Sequence, residues 1–173
     1  QGFFGPKPNF NDLAAFEENR YFVYAMIKPS EAVVPGSPRL TRRLIFLKPS
    51  TFVVDDEIDS GSSSDGTEWS LDSPTSPRIS GRVAIVSNDE TELVSETLLP
   101  EMAAIRVKRE SGYALQVHAK QPSKTVRFLH VLHMRRRGEG TTARSQLLAK
   151  GNELHLTIEA SQQTYQLLLP QSY

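Results

Sequence analysis

Apolar and polar residues alternate with a period of two along most of the chain, which is the repeat of β-strands rather than of helices. Three segments alternate most regularly: Ile105–Lys108, Tyr113–Lys120 and Glu153–Glu159. Each would present one apolar and one polar face, as a strand does in an antiparallel sheet packed on one side. A fourth segment, Tyr21–Ile27, is apolar on both faces and indicates a strand that is covered on both sides.

This pattern extends to about a dozen segments, which are separated by turns rich in Pro, Gly, Ser and Asn. The series contains neither a strand–helix–strand alternation nor a repeat of fixed length. We therefore predict an all-β fold, an antiparallel β-sandwich of about a dozen strands in two sheets. The predicted strands are Tyr21–Ile27, Leu40–Lys48, Phe52–Ile58, Trp69–Leu71, Gly81–Val86, Glu92–Leu98, Met102–Arg109, Tyr113–Lys120, Thr125–Met134, Ala143–Ala149, Leu154–Ile158 and Thr164–Leu169.

The N-terminal segment departs from the pattern. Residues 1–19 are predicted to be an irregular lead-in with at most one short helix, because Asn11–Asn19 is compatible with a helix capped by Asn11. Residues 20–173 are predicted to form a single β-sandwich domain. The chain begins with Gln1 rather than Met, so we expect it to be processed or to be a piece of a longer protein.

Composition excludes several classes of protein. A chain of 173 residues suffices for one domain with a sizeable core. Its 20 basic and 20 acidic residues balance, so we expect no nucleic-acid partner, and no apolar run is long enough for a membrane helix. The absence of Cys excludes disulfides and thiolate metal sites. Residues 101–173 carry 11 basic against 5 acidic residues, so an anionic ligand would be attracted to this half.

Several stretches, in this order and spacing, resemble the C-terminal β-rich region of heparinase II/III-like polysaccharide lyases. The first is LTRRLIFLKPSTFVVDDEID (Leu40–Asp59), a basic-start strand, a turn and a strand that ends in aspartate. The next are TEWSLDSPTSPRISG and ELVSETLLPEMAAIRV, which run from a tryptophan strand to a Leu-Leu-Pro step. The last is RFLHVLHM (Arg127–Met134). Together they cover roughly Tyr21 to Leu169.

The resemblance implies a β-sandwich that stands behind a helical toroid domain. The lyases of this family cleave acidic polysaccharides by β-elimination, with a base and a tyrosine acid that lie mostly on the toroid. This chain has no room for the toroid's helices, so we expect no catalytic residue in it and no enzyme activity of the chain alone. The expected partners are an acidic polysaccharide and an N-terminal toroid of the same parent chain, and the expected location is secreted or periplasmic. The alternative is an independent carbohydrate-binding or protein-interaction module with the same fold.

Asp56 matches the family's strand-end aspartate, which in some members holds a structural zinc with two histidines. No histidine precedes His118 here, so we expect neither zinc nor any other metal or cofactor. By period two, Asp56 shares a face with apolar residues, which predicts a structural carboxylate paired with Arg42 or Arg43. Trp69 and His130 are predicted to be structural core residues.

Arg135, Arg136 and Arg137 form a basic run at a predicted strand end. Arginine matches carboxylate and sulfate oxygens in pairs, so the run is a candidate contact for an acidic glycan. Lys120 and Arg144 are grouped with it as candidate ligand-binding residues, and Arg127 is expected nearby. The alternative interpretation is a solvated loop whose charges aid solubility, which is the commoner role of such a run.

Overall fold

The structure is a computed structural model that describes residues 13–28, 38–60, 67–121, 123–140, 143–160 and 163–171. Within these ranges every regular element is a β-strand, and no helix there is long and apolar enough to cross a membrane. The strands are β1 (Leu13–Glu18), β2 (Phe22–Ile27), β3 (Arg39–Leu47), β4 (Thr51–Asp59), β5 (Glu68–Ser73), β6 (Arg78–Ser80), β7 (Val83–Ser87), β8 (Thr91–Leu99), β9 (Ala103–Arg109), β10 (Tyr113–Ala119), β11 (Thr125–Arg136), β12 (Arg144–Lys150), β13 (Glu153–Ala160) and β14 (Gln163–Pro170).

The described strands form three antiparallel sheets. The central sheet has eight strands in the order β1-β2-β3-β4-β11-β8-β7-β6. Two smaller sheets have three strands each, in the orders β5-β10-β9 and β12-β13-β14. The long strand β11 lies between β4 and β8 and joins the two halves of the central sheet by pairing with both.

The middle of the central sheet is covered on both faces, as two neighbouring residues of β11 show. Phe128 and Leu129 are both fully buried, although successive side chains of a strand point to opposite faces. Phe128 packs into a core with Trp69 and Val117 of the β5-β10-β9 sheet. Leu129 packs into a second core, on the other face, with residues of the β12-β13-β14 sheet such as Leu156. The sandwich therefore has three layers with a core on each side of the middle one.

The predicted antiparallel β-sandwich is confirmed, with differences in detail. The structure has three layers where the alternation predicted two sheets, because the pattern shows that a face is covered but not which strands cover it. Gly81, predicted to begin a strand, instead occupies the turn between β6 and β7 with a φ of 59°, a left-handed conformation that favours glycine. The short strand β6 was not predicted from the sequence.

The helix predicted over Asn11–Asn19 is replaced, in its described residues, by strand β1. β1 pairs with β2 from Leu13 to Glu18, so strand pairing outweighs the weak local preference for a helix. The pairing also crosses the predicted domain boundary at residue 19, because β1 is part of the central sheet of the sandwich.

The two-sided core generates a stability prediction. Phe128→Ala should lower the free energy of unfolding by about 3–5 kcal/mol, because the ring is fully buried and its removal leaves a cavity. Phe16→Ala deletes the same atoms from a side chain that is 59% exposed and should cost less than about 1 kcal/mol. Urea unfolding followed by circular dichroism measures both. Equal losses for the two variants would contradict the assignment of Phe128 to the core.

Candidate functional site

Two neighbouring aspartates in β4 point to opposite faces of the central sheet, and each contacts arginine. Asp55 receives two hydrogen bonds from Arg127, at 2.7 Å to Oδ1 and 2.8 Å to Oδ2, and a longer one of 3.3 Å from Arg43. Asp55 is fully buried, as is most of Arg43. Arg127 also donates to the backbone oxygen of Pro170 at 2.7 Å, so this ion cluster joins the central sheet to the end of β14.

Asp56 occupies the opposite face and pairs with Arg42, one of the two arginines predicted from the sequence as its partner. The guanidinium donates to both carboxylate oxygens, at 2.7 Å from Nε and 2.6 Å from Nη2. Burial raises the pKa of Asp56 above its usual value, while Arg42 opposes the shift by stabilising the charged form. Asp56 is thus a buried carboxylate with a fixed cation across the β3–β4 hairpin.

His130 lies on the same face as Asp56, against Trp69. The two rings are stacked with their centroids 3.8 Å apart, and His130 Nδ1 lies 3.2 Å from Thr97 Oγ1. Burial, together with the charges of Arg82 and Arg42, lowers the pKa of His130 to about 3. The imidazole is therefore neutral at physiological pH and serves as a flat packing partner for the indole.

His133 lies on the other face of β11 from His130. Its Nδ1 is 2.9 Å from the hydroxyl of Thr51, with which it is directly paired across β4 and β11. Burial lowers the pKa of His133. The two histidines therefore do not meet, and within the described ranges no group of three His, Asp or Glu side chains is placed to hold a metal ion.

The three arginines of the run differ in burial at the end of β11. Arg135 is mostly buried and holds Glu92, with Nη2 at 2.7 Å and Nε at 3.0 Å from the same carboxylate oxygen. Glu92 also accepts from Arg78 and Ser87, and the hydrogen bonds from Arg135 lower its pKa. Arg135 thus serves the internal structure of the sheet rather than a surface.

Arg136 and Arg137 are exposed where β11 ends. Arg137 donates to the backbone oxygen of Asn88 at 3.3 Å, and the backbone N–H of Arg136 donates to Glu139 at 3.2 Å. Arg144 is also exposed, and it begins β12 directly opposite Glu159 on β13. Arg136 and Arg137 are thus the part of the predicted set that reaches solvent at this end of β11, and Arg144 reaches solvent where β12 begins.

Lys120 does not lie near the arginine run Arg135–Arg137. It is exposed in the connection between β10 and β11, and its N–H donates to the backbone oxygen of Met102 at 3.0 Å. The connection enters β11 at Thr125, ten residues before Arg135, which at about 3.4 Å per residue corresponds to roughly 34 Å of strand. Arg127, expected beside the run, lies near this same distant end and is engaged by Asp55.

A cleft of about 420 Å³ lies where β14 faces β2 and β3. Its walls are mostly apolar, with Phe22 and Leu47 on one side and Leu167 on the other, while Arg43 and Glu17 supply its charged groups. Because Arg43 contacts Asp55, the cleft adjoins the buried ion cluster.

The sequence did not indicate Arg127 as the main partner of Asp55, nor Glu92 as the partner of Arg135. One signal for Arg127 was present in the sequence. It is a cation within the apolar strand RFLHVLHM, and a charge in such a strand must find a partner inside the protein. The identity of that partner depends on the pairing of strands 72 residues apart, which no local pattern encodes.

The geometry defines this chain as an antiparallel β-sandwich. No family model matches the chain, and no curated protein matches it. Solved structures of polysaccharide lyases do match its fold. The heparan sulfate lyase HepC from Pedobacter heparinus is 13% identical, with a TM-score of 0.66, and the match covers 92% of this chain and 28% of that chain.

Two heparinase III structures give similar results. The BT4657 gene product is 10% identical with a TM-score of 0.67, and another heparinase III is 11% identical with a TM-score of 0.67. Each match covers 91% of this chain and 27% of the other. The resemblance found in the sequence is thus confirmed as a likeness of fold, and this chain spans little more than a quarter of the length of each lyase.

The ion cluster around Asp55 generates the second prediction. Asp55→Asn should lower the free energy of unfolding by about 3 kcal/mol or more, because the substitution removes the carboxylate that lies between two buried guanidinium groups. Glu110→Gln is the matched control, since Glu110 pairs with Lys108 in solvent, where ion pairs contribute little. Urea unfolding should detect no change for the control. A similarly small effect for Asp55→Asn would show that the cluster is dispensable.

The low pKa of His130 generates the third prediction. Between pH 6.5, its ordinary pKa, and about pH 3, only the unfolded chain binds a proton at this residue. Acidification through this window therefore favours unfolding, by up to roughly 1.4 kcal/mol per pH unit. His130→Phe retains a flat ring against Trp69 and should show a shallower loss of stability than the wild-type protein between pH 6.5 and 4. Parallel curves from urea unfolding at several pH values would rule out a neutral buried imidazole.

Proposed function

We propose that this chain is the β-sandwich domain of a heparinase-like polysaccharide lyase. In this proposal it supports the binding or degradation of an acidic polysaccharide by a helical toroid domain and is not catalytic alone. The observation that carries the proposal is the match of 92% of this chain to 28% of HepC, which corresponds to one domain of a longer enzyme. A secreted or periplasmic location follows from the same proposal.

The buried titratable groups are engaged in contacts inside the sandwich, which supports a non-catalytic role. A general base must reach the proton that it abstracts. Asp55 and Asp56 are instead held by arginines inside the sandwich, while His130 and His133 contact hydroxyl groups between the layers. The chemistry of β-elimination would thus come from groups outside these four.

The proposed contact with the polysaccharide is the exposed pair Arg136 and Arg137, with Arg144 as a third member. These side chains lie in the basic half of the chain, and two of them are at the end of β11, where the strand leaves the sandwich. Guanidinium groups bind sulfate and carboxylate oxygens in pairs, so an anionic sugar residue suits them. Arg135 is left out of this site because Glu92 engages it.

The second candidate function is an independent carbohydrate-binding or protein-interaction module. Its support is that the sandwich contains a core on each side of its central sheet and so has the means to fold alone. The two candidates differ in what accompanies the chain. A module would bind its ligand equally well by itself, whereas a lyase domain would bind more tightly with the catalytic domain attached.

The fourth prediction tests the glycan contact. The chain should bind heparin at low salt, and Arg136→Ala/Arg137→Ala should raise the Kd about tenfold, equivalent to ~1.4 kcal/mol. The affinity should fall with added salt, because exposed charges are screened over roughly 10 Å at 0.1 M. Titration calorimetry with heparin and with a neutral polysaccharide measures the effect.

The control Arg106→Ala/Lys108→Ala removes the same charge from β9 and should change the Kd less than about twofold, since these side chains face Glu68 and Glu110. An equal loss in both double variants would indicate bulk charge rather than a site. Unsaturated uronate should not accumulate from heparan sulfate, alginate or chondroitin with the chain alone. Turnover that survives repurification would refute the non-catalytic assignment.

A further inference from the structure

One face of the central sheet carries a band of apolar side chains that the sandwich leaves partly uncovered. The band lies on the face that holds Phe128 and His130, beyond the area that the β5-β10-β9 sheet protects. Its members are partly exposed or exposed, and they come from six strands of the central sheet: Phe16, Val23, Ala25, Leu44, Phe46, Phe52, Leu93, Leu132 and Met134.

The strand register makes the band continuous. Leu132 pairs with Phe52, Phe52 with Phe46, and Phe46 with Val23, so four adjacent strands contribute one row. The rings of Phe46 and Phe52 stack with centroids 4.3 Å apart in the middle of it. The next row joins Leu44, Ala25 and Phe16.

The two faces of strand β3 differ in burial. Arg43, Ile45 and Leu47 point to the β12-β13-β14 side and are buried. Leu44 and Phe46 point to the other side and remain partly exposed. At the two ends of the band, Phe16 is 59% exposed and Met134 is 48% exposed. A contiguous apolar patch that stays exposed across several strands is the kind of surface that often serves an interaction.

We propose that this apolar band is the surface on which the sandwich packs against the larger companion domain of its own polypeptide. The inference rests on the proposed function. In the similar lyases the matched region is 27–28% of the chain, so nearly three quarters of each polypeptide lies outside it. A sandwich of this fold thus occurs there within a much larger chain.

A tethered domain is favoured over a second copy of the chain, because more than two thirds of each similar lyase lies outside the matched region. Specific complexes between free proteins bury about 1,200–2,000 Å² in total, whereas interfaces between domains of one chain begin at about 600 Å². A partner held by a covalent connection does not need the larger area, because the connection raises its effective concentration.

The band also adjoins the proposed glycan contact. Arg136 follows Met134 on the same face of β11 and is exposed at the end of the strand. A polysaccharide bound at Arg136 would therefore lie beside the edge of the companion domain. The band itself supplies the partner with an apolar and aromatic surface, so the matching surface must be apolar at its centre.

These 173 residues contain no Cys, so a cysteine introduced among them can be labelled and its own tagged peptide followed. Met134→Cys places a thiol in the band, and Leu148→Cys places one on β12 at nearly the same exposure, 46% against 48%. Each variant is labelled with a maleimide, both as the 173-residue chain and within the full-length polypeptide that carries it. Mass spectrometry of the tagged peptide gives the labelling rate.

In the full-length polypeptide the rate at Met134→Cys should fall at least tenfold, while the rate at Leu148→Cys should change less than twofold. Leu132→Cys should behave like Met134→Cys. Equal rates in both forms, or a reading frame that encodes no second domain, would overturn the proposal. Protection in the isolated chain that grows with its concentration would also overturn it and assign the band to a second copy.

A lyase assay on the full-length polypeptide separates the two proposals. Protection without activity refutes only the proposed function, and activity without protection refutes only the docking surface.

Discussion

The structure depends on burying the middle of β4 (Val53–Asp56) and of β11 (Phe128–Val131) on both faces. A strand in that position has no wet side, so every polar group on it must find a partner within the protein or be destabilising. Asp55 and Asp56 are adjacent and therefore point into different cores, and each is matched by a different arginine. The same constraint explains why His130 and His133 contact hydroxyl groups on the neighbouring strands. Buried pairs of this kind fix the register of the strands, since a slip of one residue would separate all of them.

The same constraint determines which charged side chains are engaged inside the protein and which remain in solvent. Within β11, the cations that point into the layers are engaged by carboxylates, Arg127 by Asp55 and Arg135 by Glu92. Charge remains in solvent only where the strand leaves the sandwich, at Arg136 and Arg137. Where the sheet is covered on both sides, ligand contacts are thus confined to strand ends and loops, which is where binding residues concentrate in proteins generally.

Alternation along single strands was enough to predict the all-β fold and most strand positions, because period two is a local property of the backbone. It failed at β1, where pairing with β2 decides the conformation, and it could not count the layers. For the candidate site, the sequence narrowed the partner of Asp56 to two arginines on the facing strand, because a hairpin is a short-range feature. It could not pair Asp55 with Arg127, nor recognise that Arg135 is engaged by Glu92, since both contacts join strands that are distant in sequence.

The geometry of the sheets accounts for the uncovered apolar band. Strands lie about 4.8 Å apart, so eight of them span roughly 34 Å and three span roughly 10 Å. A three-stranded sheet therefore covers less than half of either face of the central sheet, even allowing for side chains at its edges. An exposed sheet face ordinarily carries polar side chains. The band carries Phe46, Phe52 and Leu132 instead, whereas the exposed outer face of the small sheet carries charged side chains such as Arg106 and Lys108. The outer face of the small sheet thus has the composition of a surface that meets water. The apolar band of the central sheet has the composition of a surface that is covered.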